Sequence, residues 1–287
     1  MKLSIALLLT AGSATAFAPS SLVHSSYSRH LNLATKSDFC KHSALCMSAA
    51  EANVAESAAI ADKDTDTNAT SEFPPILQEL REVAMRLHTR EQAPREGKAE
   101  EPQKPAEPYV PTQADYLQFL VDSYVVYVAL EEIVNEVDAL APFRNSGLER
   151  TQALETDIAY MCEKFDLQRP DAGKAGSMYA AQLKNMIKSD EDVPEFMCHY
   201  YNFYFAHLAG GRMIGKQMSK LLLDGEALEF YKWGENVNGL KDTVKGQIEE
   251  LAKGWNRQER DSCIDATAAA FMGGGGINGY LYGRNPH

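Results

Sequence analysis

Apolar residues recur at helical spacing along the chain from about residue 73 onward. One such stripe, which ends near His88, comprises Ile76, Leu80, Val83, Ala84 and Leu87. The same period predicts further helices at about 113–137, 146–164, 177–188, 193–223, 240–255 and 256–271, with short helical pieces at 227–233. No stretch alternates apolar and polar residues well enough to predict a strand. The pattern therefore predicts one all-α domain without internal repeats.

Two segments interrupt the helical pattern. A polar loop at about 91–111 contains five prolines, which exclude regular helix there. The run of four glycines from Gly273 to Gly276 predicts a break after the last helix. We therefore expect a helical domain at 72–271, followed by a mobile glycine-rich tail at 272–287.

The N-terminal seventy residues have the composition of targeting and linker sequence. Residues 1–16 form a basic start, a short apolar run and a small-residue cleavage pattern, as in a signal peptide. Residues 17–48 begin with Phe17 and are rich in serine and poor in acid, as in a transit peptide. Together they are similar to the bipartite leaders of complex plastids; plain secretion is the alternative. Residues 49–71 predict a disordered linker.

Composition narrows the function classes. The formal net charge of -12 argues against general nucleic-acid binding, which needs a basic face. The body of the chain contains no apolar run long enough to cross a bilayer, so stable membrane insertion is not expected. The five cysteines form no CxxC pattern, which favours free thiols. A monomer is the expected state.

Few histidines can serve a buried site. Of the seven, three lie in the leader and one is the last residue, which leaves His88, His199 and His207. A histidine on an apolar helix stripe is a candidate metal ligand. Near a helix end, however, it can instead hydrogen-bond the last carbonyl groups. The spacing around His88 allows both interpretations.

Gly210 and Gly211 interrupt an otherwise helical stretch. Two glycines cost a helix about 2 kcal/mol relative to alanine. Together with Ala206 and Ala209 they leave a side-chain-poor surface, against which a flat porphyrin could lie. Close helix packing or a break between two helices explains the pair equally well. His207, three residues before Gly210, shares that neighbourhood.

The motifs of two other kinds of site, di-iron bundles and hydrolases, can be compared with the sequence. The Glu-x-x-His motif of di-iron bundles is absent, because Met85, Phe196 and Tyr204 precede the three body histidines by three residues. No GxSxG nucleophile elbow occurs, and residue spacing alone leaves a Ser-His-Asp or Cys-His hydrolase as an open alternative.

Six sequence blocks, in order, resemble plant and algal haem oxygenases. They are residues 84–89 (AMRLHT), 116–123 (YLQFLVDS), 147–150 (GLER), 198–202 with 205–207 (CHYYN, FAH), 209–215 (AGGRMIG) and 228–233 (LEFYKW). The loop around Pro94 and the glycine-rich tail depart from the family pattern. The resemblance implies a helical fold in which haem is held between a proximal helix and a glycine-kinked distal helix.

The resemblance also implies roles for single residues. His88 matches the proximal iron ligand. His207 takes the distal position, where it would supply hydrogen bonds to the reacting oxygen directly or through one water, and Gly210 and Gly211 complete the candidate catalytic set. Ala206 matches a residue that touches haem. The implied partners of the haem propionates are Arg81, Tyr201, Lys241 and Lys245.

The implied activity is oxidative opening of haem, which is both substrate and cofactor, at the α-meso carbon. The products would be biliverdin IXα, CO and iron, with O2 as co-substrate and reduced ferredoxin as electron donor. A bilin reductase would use the product, and the plastid stroma would be the location. The competing hypotheses are a non-catalytic tetrapyrrole-binding member of the same fold and a helical interaction module without a cofactor.

Overall fold

The computed structural model describes residues 73–88, 109–234 and 236–285. These residues are helical and include no strand, which confirms the all-α prediction. The predicted signal peptide, transit-like segment and linker lie outside the described residues, as does the loop around Pro94.

Nine α-helices are present in the described ranges. They are α1 (Ile76–Leu87), α2 (Gln113–Glu136), α3 (Thr151–Phe165), α4 (Lys174–Met186), α5 (Val193–Ala206), α6 (Arg212–Leu222), α7 (Val237–Ala252), α8 (Arg257–Asp265) and α9 (Thr267–Asn278). A π-helical turn, His207–Gly211, joins α5 to α6. Short 3₁₀ turns cover Asp138–Phe143, Asp190–Asp192, Glu229–Tyr231 and Gly279–Tyr282.

The start of α3 differs from the sequence prediction. A helix was predicted from residue 146, but α3 begins at Thr151. Asn145 and Gly147 have positive φ angles of 54° and 82°, which are incompatible with a right-handed helix. The Glu149 carboxylate accepts the backbone N–H groups of Ser146 and Gly147 and so stabilises a turn instead.

Helix α2 is buried on most of its surface and packs against α3 and α4. Its first turn is fixed by a capping box between Thr112 and Asp115. Asp122, fully buried in its middle, accepts the backbone N–H groups of Gly173 and Gly176 at 2.7 Å each. These bonds satisfy free donors at the start of α4, so the two helices are joined by a buried carboxylate.

Helix α1, which carries His88 at its end, is anchored by charged groups of α7 and α8. The Glu249 carboxylate accepts the N–H groups of Ile76 and Leu77, both at 3.0 Å. Arg260, whose side chain is only 5% exposed, lies 2.7 Å from the Glu79 carboxylate. Burial works to raise the pKa of Glu79, but hydrogen bonds from Arg257 and Arg260 outweigh it and lower that pKa. The start of the helix that carries His88 is therefore fixed by contacts with α7 and α8.

The prediction of a break at Gly273–Gly276 is wrong. Helix α9 runs through all four glycines to Asn278, and Tyr280 and Leu281 beyond it are buried. The boundary placed after residue 271 therefore falls inside a helix. A Cβ at Gly273 would lie 2.4 Å from the Tyr179 ring, so the close packing there requires glycine. Tertiary packing stabilises a helix that glycine content alone disfavours.

Two further findings concern the cysteines and the length of the helices. Cys162, Cys198 and Cys263, the cysteines within the described ranges, are free thiols. None of the described helices combines the length and the apolar character that a bilayer crossing requires.

Candidate functional site

A cavity of about 430 Å³ is formed by α1, α2, α5, the π turn and α9; we call it the slot. Its volume lies within the range of about 300–1,000 Å³ that is usual for ligand pockets. Seven of the nine residues predicted from the sequence line it, namely Arg81, His88, Tyr201, Ala206, His207, Gly210 and Gly211.

His88 lies directly after α1, and its ring is oriented by the backbone. Nδ1 lies 2.8 Å from the carbonyl oxygen of Ala84. Because a carbonyl only accepts, Nδ1 carries the proton, and Nε2 of the neutral ring keeps its lone pair. Histidines that bind metals commonly have this arrangement, with the second ring nitrogen bonded to a carbonyl. The two interpretations of His88 are thus compatible, since the helix-end hydrogen bond prepares the other nitrogen.

Phe271 of α9 supports the His88 ring from the side. The two ring centroids are 5.2 Å apart and the planes are perpendicular. Such an edge contact is the favoured geometry for an aromatic pair. Phe271 is not predicted from the sequence, because nothing in its local pattern places it near a residue 183 positions earlier in the chain.

His207 begins the π turn, and it is Nε2 of its ring, not Nδ1 as in His88, that is bonded to a carbonyl. Its Nε2 donates to the carbonyl oxygen of Phe230 at 2.9 Å, and its ring stacks on the Phe230 ring at 3.9 Å. Burial lowers the pKa of His207 to about 3, although the hydrogen bond to Phe230 works against that shift. The ring is therefore neutral, and Nδ1 can only accept a hydrogen bond. Of the two routes predicted for His207, direct and through one water, this arrangement favours the water, because Nε2–H is bonded to Phe230.

The close packing of His207 explains why residue 211 is a glycine. A Cβ at Gly211 would lie only 2.5 Å from Nδ1 of His207, so the turn has room for this imidazole only because residue 211 lacks a side chain. The extra residue of the π turn widens the helix at the slot wall, a feature that often occurs at functional sites. Both glycines leave the backbone bare at the slot, and Gly211 in addition makes room for the His207 ring.

Cationic groups lie at the slot, but not all of the predicted ones line it. Arg81 and Arg284 are lining residues, and Tyr201 lies close enough to Arg81 for the two to interact electrostatically. Burial raises the pKa of Tyr201 to about 12, whereas Arg81 works to lower it. Lys241 and Lys245 are not among the lining residues.

Lys245 reaches the edge of the slot through an aromatic neighbour. Its Nζ lies 5.9 Å from the ring centroid of Phe205, which does line the slot. Burial lowers the pKa of Lys245, and the nearby charge of Lys241 adds to that effect. The predicted role of both lysines as carboxylate partners stays a prediction.

Helix α9 forms a wall of the slot that the sequence analysis missed. Gly274 and Gly275 both line the slot, and a Cβ at Gly275 would meet no atom within 4 Å. Packing against protein therefore does not require a glycine at 275, in contrast to Gly273. A side chain at 275 would project into open space, so the bare backbone there keeps the slot wide.

The slot fits haem by its lining and its donor set. Its lining is largely aromatic and small residues, with arginines available for carboxylates. The described residues contain no group of three or more side chains that could together hold a metal ion. A haem iron needs only one such ligand from the protein, and Nε2 of His88 provides a lone pair.

Comparison with known proteins agrees with this geometry. A family model described as "Heme oxygenase" matches residues 75–273. The chain is 41% identical over 213 residues to "Heme oxygenase 1, chloroplastic" of Oryza sativa subsp. japonica, covering 74% of this chain and 72% of that protein. It is 36% identical over 167 residues to "Probable inactive heme oxygenase 2, chloroplastic" of Arabidopsis thaliana, covering 58% and 55%.

A solved structure has the same fold at low sequence identity. Heme oxygenase-2 from Synechocystis sp. PCC 6803, in complex with heme and NO, superposes with a TM-score of 0.52 and 16% identity, covering 72% of this chain and 85% of that one. The family model spans the slot residues from Arg81 to Phe271, so fold, site and sequence agree. The chain belongs to the heme oxygenase family.

Proposed function

We propose that this protein is an active haem oxygenase that opens haem to biliverdin IXα, CO and iron. O2 is the co-substrate, and reduced ferredoxin is the electron donor. The observation that carries the proposal is the orientation of His88, whose Nδ1–H is bonded to Ala84 so that Nε2 is free to bind iron. A protein that only packed this histidine would not need a slot of about 430 Å³ beside it.

The protein's own groups supply binding and orientation. Haem, when bound, supplies both the iron at which O2 is reduced and the carbon that is oxidised. His88 holds the iron as a neutral ligand, without the electron-donating thiolate that favours O–O cleavage. Arg81 and Tyr201, with Lys241 and Lys245, bind the propionates and fix the rotation of the ring in its plane.

The distal wall selects the position of attack. Ala206, Gly210 and Gly211 line the slot without long side chains, so they would let bound haem approach the backbone and would restrict which carbon can react. His207 accepts a hydrogen bond at Nδ1, so it orients a water in the slot, and that water in turn donates towards the reacting oxygen.

The relatives suggest where the reaction takes place. The rice protein at 41% identity is named as chloroplastic, which supports a plastid location for this chain. The signal-like and transit-like segments at 1–16 and 17–48 support a bipartite leader and import into the stroma of a complex plastid. A bilin reductase then uses the product, and the protein acts as a monomer.

The experiment is a haem titration followed by reduction. The purified protein should give a Soret band at one haem per chain and, after addition of reduced ferredoxin and O2, should release biliverdin and CO in equal amounts. Absence of a Soret band would contradict any haem function and favour a helical interaction module.

The second candidate is a non-catalytic tetrapyrrole-binding protein. It is favoured by the similarity to a relative named as probably inactive, although the identity to that relative is 36% against 41% to the rice protein. Haem that binds and is reduced but never yields biliverdin would establish this alternative.

A further inference from the structure

A buried carboxylate on α3 holds the segment that contacts His207. Both oxygens of Asp157, which is only 3% exposed, accept backbone N–H groups: Oδ1 from Glu229 at 2.9 Å and Oδ2 from Phe230 at 2.7 Å. Burial raises the pKa of Asp157 to about 6, while the two N–H groups work to lower it. At pH 8 the group is ionised and accepts both bonds.

Phe230 connects Asp157 with His207 through its two backbone groups. The Phe230 N–H donates to Asp157, and the Phe230 carbonyl accepts from Nε2 of His207 at 2.9 Å. The Glu229–Tyr231 segment is a single 3₁₀ turn, so its N–H and C=O directions are coupled through one rigid backbone unit. Asp157 therefore reaches His207 through two hydrogen bonds and one residue.

Arg150 holds the other end of this segment. Its Nη1 donates to the carbonyl of Lys232 at 2.5 Å, and its guanidinium lies 4.7 Å from the Trp233 ring centroid. Arg150 bonds neither end of Phe230, so it restrains the segment without directing the carbonyl that His207 needs. The stack between Phe230 and His207 fixes the ring plane but does not distinguish the two nitrogens.

We propose that Asp157 is a positioning residue that selects the Nε2–H form of His207 and keeps the Nδ1 lone pair at the slot wall. This inference deepens the proposed function and rests on it for its catalytic meaning. With Nδ1 unprotonated, His207 accepts a hydrogen bond from a slot water, and the other O–H group of that water points away from His207. If the proton moved to Nδ1, the same water would be oriented the other way.

The tautomer can be measured without haem. Protein labelled with ¹⁵N-histidine at pH 8 should show His207 protonated at Nε2 in long-range ¹H–¹⁵N spectra, with a His207→Gln variant for assignment. In Asp157→Asn, the side-chain NH₂ group replaces one of the two accepting oxygens and faces a backbone N–H group, so two donors oppose each other. The turn should therefore shift, and His207 should show a mixture of both tautomers. Protonation at Nδ1 in the native protein, or an unchanged His207 signal in Asp157→Asn, overturns the proposal.

Asp122→Asn is the matched control. Asp122 is likewise a buried aspartate that accepts two backbone N–H groups, but it holds α4 and does not contact the 229–231 turn. It should leave the His207 signal unchanged at a temperature where both variants are folded.

Turnover completes the test. With haem, ferredoxin and O2, Asp157→Asn should turn over about 10- to 100-fold more slowly, part of what a positioned proton-transfer group contributes. Its haem affinity should stay within about twofold, because His88 is untouched. A changed tautomer with native turnover overturns the positioning role. A native protein that shows the expected tautomer but no biliverdin contradicts the proposed function and leaves the tautomer result standing.

Discussion

Two backbone carbonyls decide what the slot histidines can do. The Ala84 carbonyl accepts a hydrogen bond from Nδ1–H of His88, and the Phe230 carbonyl accepts one from Nε2–H of His207. The two rings are therefore held in opposite neutral forms, one with Nε2 available for iron and one with Nδ1 available to accept a hydrogen. Which ring nitrogen is bonded to the main chain therefore decides which one is left to bind iron or to accept a hydrogen bond.

Only part of this was accessible from the sequence. Ala84 lies four residues before His88, so helical spacing makes its carbonyl an expected partner. Phe230 is 23 residues beyond His207, and Asp157 is 73 residues before Phe230. Local periodicity carries no information about such contacts, which arise only when the helices pack.

Gly211→Ala tests the close contact at the π turn. The added Cβ would lie 2.5 Å from Nδ1 of His207, so we expect the ring to be displaced, with a loss of about 1–3 kcal/mol of stability from overpacking. Turnover should fall with it. Chemical denaturation and the turnover assay measure the two effects.

Gly246→Ala provides the comparison for Gly211→Ala. Gly246 lies inside α7, where a Cβ would meet no atom within 4 Å, so alanine should stabilise the protein by up to about 1 kcal/mol. Equal effects of the two substitutions would contradict the account of the turn.

At the scale of elements, α9 shows how packing overrides propensity. Each glycine costs a helix about 1 kcal/mol relative to alanine, so four in a row predict a break. The helix persists because its flanks are buried: Thr267 and Ala270 precede the glycines, and Ile277 follows them. The local sequence shows only the cost of the glycines, whereas the contacts of α9 with α5 and α4 that offset it arise from the tertiary fold.

Substitutions along α9 should separate packing from slot width. Gly275→Leu places a side chain in the slot, and we expect haem affinity to fall at least tenfold while the haem-free protein is at least as stable as the native one. Gly273→Ala should do the reverse, because its Cβ strikes Tyr179 at 2.4 Å and costs stability. Haem titration and thermal unfolding read the two effects, and native haem affinity in Gly275→Leu would refute this placement of α9.

At the scale of the whole molecule, two buried histidines make stability depend on pH. Burial lowers the pKa of His199 to about 4 and that of His207 to about 3, against about 6.5 in the unfolded chain. The native state stays unprotonated where the unfolded state binds protons, so this contribution is complete above pH 6.5 and is lost as pH falls towards 4 and 3. Each histidine should cost about 2 kcal/mol between pH 7 and 5.

His199→Phe isolates one of the two contributions. Asp157 acts in the opposite direction, because its raised pKa of about 6 lets the native state bind a proton first. Comparing native and variant proteins cancels that term. Urea unfolding at pH 7 and 5 should show about 2 kcal/mol less acid destabilisation in the variant, and parallel curves would contradict the buried neutral state of His199.

The salt dependence of haem reduction tests whether the proposed electron donor docks at a basic face of a protein whose net charge is -12. If acidic ferredoxin docks near Arg81 and Arg284 at the slot, added salt screens an attraction and slows reduction. If it meets the acidic surface at large, added salt speeds reduction. Arg284→Glu should slow reduction at low salt more than Lys253→Glu, which alters a lysine outside the slot lining.

The most direct test of the central claim, that His88 binds the haem iron, is the visible spectrum of haem-loaded His88→Ala. We expect the histidine-ligated spectrum and the turnover to be lost, and added imidazole to restore the spectrum. His199→Phe, which removes a buried histidine that does not line the slot, should keep both. Retention of the native spectrum and of biliverdin formation in His88→Ala would contradict the account.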